Sequence, residues 1–145
     1  MDQLSVLKEI YDETAQQRNA AIGTLQDAQT ALNDARVQLK MAEHQASTEI
    51  VADEAIIAKK KVVEDLYNGS LARPQSLLAK IDTLMSEQIE SADRRKRAKA
   101  IVFAQTKKVS EAETQLAVAQ MEFERVSGEI AKLSGEIQRV SSALN

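Results

Sequence analysis

Five basic side chains, Arg94, Arg95, Lys96, Arg97 and Lys99, fall within six residues of the stretch DRRKRAKA, on a chain whose net charge is −3. Such a cluster can neutralise nucleic-acid phosphates, dock on an acidic protein surface, or coat the wet side of a helix. Phosphate neutralisation needs only Lys and Arg. However, no aromatic residue is interleaved to stack on bases, and the rest of the chain is acidic, so no nucleic-acid partner is expected. Other chemistry has little to work with. The chain has no Cys and a single His, His44, which excludes thiolate and multi-histidine metal sites. Tyr11 and Tyr67 are isolated, Ser and Thr lack an adjacent base, and no phosphate-cradling glycine loop occurs. No catalytic residue, cofactor or metal is expected, and the many Asp and Glu read as a solvated face.

The elements that carry the basic run are helical. Aromatic residues make up 3% of the 145, Trp is absent, and there are one Pro and four Gly. A chain this rich in Ala, Leu, Glu, Lys, Gln and Arg is built for long helices and coiled coils. The opening MDQLSVLKEIYDETAQQR lacks the basic start and apolar core of a signal peptide. No run approaches the ~18 apolar residues of a membrane span. A cytoplasmic protein without direct membrane insertion is expected.

The hydrophobic period identifies the helix type. Alternate steps of four and three from Leu77 visit Leu77, Ile81, Leu84, Gln88, Ser91, Arg95, Ala98, Val102, Gln105, Val109, Ala112, Leu116, Ala119, Phe123, Val126, Ile130, Leu133, Ile137, Val140 and Leu144. Sixteen of these twenty are apolar. A 3.5-residue period held this long is a coiled-coil seam. In the first half the seam runs Leu4, Leu7, Tyr11, Thr14, Arg18, Ala21, Leu25, Ala28, Leu32, Ala35, Leu39, Ala42 and Ala46, with eleven of thirteen apolar. The strict Ala–Leu alternation from Ala21 to Ala42 suits closely approaching antiparallel helices. Beyond Ala46 the frame is expected to shift, with an irregularity over 47–55 and resumption at Ile56, Lys59, Val63 and Leu66.

Between the halves lies YNGSLARPQ, Tyr67 to Gln75. Asn68-Gly69 can adopt positive φ and end a helix. Pro74 suits the start of the next and disfavours helix at Arg73. The fold expected is all-α, a single antiparallel two-helix coiled-coil hairpin over 1–145, with helices at 2–67 and 75–144 and a turn at 68–74. A centre between Leu71 and Ala72 brings Met1 to Ser142. Residues 1–67 carry seven basic and twelve acidic groups, and 68–145 carry twelve and ten. That bias favours arm-to-arm pairing over the parallel homodimer of one continuous helix, which the Asn-Gly and Pro break also opposes.

Gln88, Ser91 and Arg95 fall opposite residues 48–55, so two irregularities meet at one level. This level reads either as a splayed stretch stabilised by Arg95 with Glu49 or as a docking segment. Gly128 and Gly135, seven residues apart in SGEIAKLSGEI, are either tolerated surface glycines or places where a surrounding partner approaches closely.

The Leu4–Ala46 seam, the YNGSLARPQ break and the Leu77–Leu144 seam together resemble the FliJ/YscO family, the stalk proteins of flagellar and type III secretion export machinery. The likeness covers the whole chain in length and layout. It implies a non-enzymatic coupling protein, peripheral to a membrane-embedded secretion apparatus, that links a hexameric export ATPase to the cytosolic ring of the export gate, with secretion chaperones as further partners. Carried onto this sequence, Leu4, Leu7, Leu133, Ile137, Val140 and Leu144, flanked by Gly128 and Gly135, would form the ATPase end. Arg94, Arg95, Lys96, Arg97 and Lys99 would face an acidic cleft of the gate. Three other classes compete: a generic scaffold or adaptor hairpin, a prefoldin-like chaperone, and a membrane-surface protein. The connection is too short for the β-hairpins of the second, and the seam too narrow for the broad apolar face of the third.

Overall fold

The computed structural model describes residues 2–144; Met1 and Asn145, and with them the expected Met1–Ser142 pairing, lie outside the described residues. Two helices follow one another, α1 (Gln3–Gly69) and α2 (Gln75–Leu144). They pack against each other as an all-α helical hairpin, with no strand among the described residues.

The helix ends follow from local chemistry. Asp2 stands just before α1, and its Oδ1 accepts the Ser5 N–H at 2.7 Å, which caps the first turn. That bond, first among the causes, holds the Asp2 carboxyl below its ordinary value of 3.8. At the other end α1 runs two residues past the expected boundary at 67, and the Ser70 N–H closes on the Tyr67 carbonyl at 3.3 Å. Neither Asn68 nor Gly69 takes positive φ; the residue that does is Arg73, at 45°. The reversal is therefore made against Pro74, whose ring keeps Arg73 out of the right-handed helical region. A non-glycine residue held left-handed costs about 1–2 kcal/mol. The Pro74 carbonyl then accepts the N–H groups of Leu77 and Leu78, and α2 begins.

Residues 1–35 with 109–145 form one compact unit, and residues 36–108 a second. In the first unit the core is Thr14, Ala21, Leu32, Ala112, Ala119, Val126, Ile130 and Val140, all buried. Thr14 is satisfied within its own helix, its Oγ1 donating to the Ile10 carbonyl at 2.8 Å. Ile10 and Thr14 line a common cavity with Glu129, Lys132 and Leu133, as antiparallel packing requires. In the second unit the buried set is Ala42, Asp53, Val63, Leu84, Ser91 and Ala98.

Of the twenty seam positions foreseen in α2, only Arg95 and Leu144 are exposed; the rest are buried or half-buried. In α1 the expected frame shift does not occur. After Ala46 the same alternation of three and four continues through Glu49, Asp53, Ile56, Lys60, Val63 and Tyr67, each of them buried or half-buried. Lys59 and Leu66, expected in the seam, are exposed. The hydrophobic signal fades there because the seam itself turns polar.

The two units carry opposite charge. The first holds five basic and twelve acidic residues (−7), the second fourteen and ten (+4).

Candidate functional site

The polar segment of the second unit's seam is built from three residues on each helix. On α1, Glu49, Asp53 and Lys60 occupy positions that elsewhere hold Ala, Leu or Val. On α2, Gln88, Ser91 and Arg95 do the same. Lys60 Nζ donates to Gln88 Oε1 at 3.2 Å and lies 3.4 Å from Glu64 within its own helix. Arg95 Nη1 donates to Asp53 Oδ2 at 3.2 Å. Arg94 Nε stands 3.4 Å from Glu49 Oε2. The expected Arg95–Glu49 pair is thus replaced by Arg95–Asp53 and Arg94–Glu49. The physical reason is register: with the α1 frame unbroken, Asp53 is itself a seam residue and lies within reach of Arg95.

Burial is unequal across these pairs. The Asp53 side chain is 7% exposed and that of Arg95 47%. Asp53 Oδ1 is buried without a partner, and so is the Oγ of Ser91, which has no exposed surface. A carboxylate is therefore held in the seam by a cation that remains half in water. The level is a packed polar core rather than a splayed stretch, since Ser91, Asp53 and Ala98 are all buried there.

This geometry divides the basic run. Arg94 and Arg95 are engaged by α1. Lys96, Arg97 and Lys99 are exposed and make no ion pair among the described residues. They are the part of the cluster free to meet an outside anion. Beside them Ala46, Ile50, Arg95, Lys99 and Val102 line a depression of about 240 Å³, in which three apolar side chains adjoin two cations.

In the first unit Leu4, Leu7, Leu133 and Ile137 are half-buried and Val140 is buried, so they hold the two helices together. Leu144 stands apart, 69% exposed. Gly128 and Gly135 are exposed, and a Cβ added to either would meet nothing within 4 Å. The surface around them is laced by pairs within α2. Arg125 donates to Glu122 and Glu129, both at 2.6 Å, and Arg139 to Glu136 at 2.8 Å. The bond from Arg125, and then its charge, holds the Glu122 carboxyl below its ordinary 4.5, and Arg139 does the same to Glu136.

His44 is exposed, and the described residues contain no group of three or more His, Cys, Asp or Glu able to hold a metal ion. No helix among the described residues is long and apolar enough to cross a membrane. Sequence reasoning passed over a set of exposed apolar side chains off the seam, among them Met85, Ile89 and Phe103. Their signal was present as a second 3.5-residue alternation, masked by the stronger one. No family model matches the chain, nor does any curated protein or solved structure.

Proposed function

We propose that this chain is a non-catalytic coupling protein of a type III secretion export apparatus, joining a hexameric export ATPase to the export gate, as its likeness to the FliJ/YscO family implies. The observation that carries the reading is the division of charge and of the basic run. One unit is strongly acidic. The other is basic and presents Lys96, Arg97 and Lys99 without internal partners. Oppositely charged units suit two different protein partners, and like-charge repulsion discourages exchanging them. Arg94 and Arg95 leave the docking set, because Glu49 and Asp53 already engage them.

Co-purification with an export ATPase and with the gate's cytosolic ring tests this directly. The K96E/R97E/K99E variant should lose the gate while retaining the ATPase and its helical content. Binding to neither wild-type partner would sink the reading. A scaffold or adaptor hairpin that needs no ATPase is the second reading, favoured by exposed Val37, Met41, Val51 and Val62 on α1.

A further inference from the structure

Met85, Ile89, Ala92, Lys96, Lys99 and Phe103 follow one another at alternating spacings of four and three, so they share one side of α2. All six are exposed, Ile89 at 65% and Phe103 at 75%. Single exposed apolar residues are ordinary on any surface. Three large ones in helical register with two partnerless cations form an ordered pattern. The depression lined by Ile50, Val102 and Lys99 opens beside this stripe. Ile57 of α1, seven residues from Ile50 and so on the same side of its helix, is also exposed.

The order along the stripe selects the occupant. Lys96 and Lys99 sit between Ala92 and Phe103, inside the apolar row. A lipid surface wants contiguous apolar residues with cations at the border. A second copy laid antiparallel over the whole stripe would set Lys99 against Ile89 and Lys96 against Ala92, covering both cations with no carboxylate to meet them. A matching helix must carry negative charge in the middle of its own apolar face.

We propose that this side of α2 docks an acidic amphipathic helix of a partner protein. Its apolar residues pack on Met85, Ile89 and Phe103, one large apolar side chain enters the 240 Å³ depression, and its carboxylates meet Lys96 and Lys99. From Met85 to Phe103 the stripe is about 27 Å long at 1.5 Å per residue, so a helix of about 20 residues covers it. The proposal deepens the coupling reading, on which it rests for the basic segment being a docking site, by naming the partner's chemistry.

The test uses the full chain against a displayed library of helical peptides of about 20 residues, in which every position can be Leu, Phe, Glu, Gln or Lys. Binders are counter-selected on the K96E/K99E/F103A variant, whose substituted side chains are all exposed and whose helicity is checked by circular dichroism. Enriched peptides are expected to carry Glu flanked by apolar residues at helical spacing. They should bind the variant about tenfold or more weakly and lose affinity as salt rises. Amide shifts should be confined to residues 85–103 and the neighbourhood of Ile50. The proposal is overturned by absence of enrichment, by Gln or Lys in place of Glu, or by shifts elsewhere. It is equally overturned if phosphatidylserine vesicles displace the peptides, or if sedimentation shows wild-type dimers that F103A dissolves. Failure here with intact ATPase and gate co-purification condemns this surface alone; the reverse result condemns only the export assignment.

Discussion

Replacing either member of the Asp53–Arg95 pair by Leu should move stability in opposite directions, although the same contact is lost. Arg95→Leu strands the buried carboxylate. Asp53 is 7% exposed, and one of its oxygens already lacks a partner. Leaving such a group unsatisfied costs about 1–3 kcal/mol, and more when it is charged. The new Leu, in a position 47% exposed, returns about 1 kcal/mol at most. The net expectation is a loss of about 1–2 kcal/mol. Asp53→Leu instead removes the buried carboxylate, and the Arg95 guanidinium swings into water at little cost. The half-exposed pair it forfeits contributes about 0–1 kcal/mol. A fully buried Leu gives about 1.5–3 kcal/mol, so D53L should gain about 1 kcal/mol or more. With a urea slope of about 1–3 kcal/mol/M, the midpoints of the two variants should differ by about 1 M or more. Urea unfolding followed at 222 nm reads this directly. Equal losses in both variants, or D53L the worse of the two, would refute the claim that unequal burial decides the outcome. The double variant D53L/R95L should be at least as stable as wild type. It should also lose the polar match that fixes one register, which cysteine cross-linking between the helices would report.

Arg73→Gly should stabilise by about 1 kcal/mol, because glycine takes the left-handed conformation at φ 45° without strain; differential scanning calorimetry should show a rise of about 2–4 °C. Gly128→Ala and Gly135→Ala should each add about 1 kcal/mol of stability, since a Cβ at either site meets nothing; differential scanning calorimetry should show each variant melting above wild type. Asp2, Glu122 and Glu136 are held below their ordinary values, so their contribution is present above about pH 4 to 5 and is lost as pH falls through the lowered folded values. The E122Q/E136Q variant should therefore lose less thermal stability than wild type between neutral pH and pH ~3, and an unchanged difference would count against those pairs.

The hairpin and most of its seam were legible from sequence because a 3.5-residue apolar period is local information. Leu77 to Leu144 repeats it so often that the frame of α2 needs no knowledge of the opposite helix, and the Asn-Gly and Pro break marks where the chain must reverse. Legibility ended where seam residues became polar. Glu49, Asp53 and Lys60 look like surface residues until Arg94, Arg95 and Gln88 are set against them, so an unbroken frame reads as a slipped one. The same non-local pairing divides the basic run: five side chains with nearly identical chemistry part into two held by α1 and three left to solvent. At the turn, composition marked Asn68-Gly69 as the bend, but the left-handed residue is Arg73, which the ring of Pro74 keeps out of the right-handed helical region. Periodicity thus determined which faces meet, because hydrophobic burial depends on residue type and spacing alone. Only the tertiary structure decided which charges neutralise one another, because an ion pair depends on what stands across the interface.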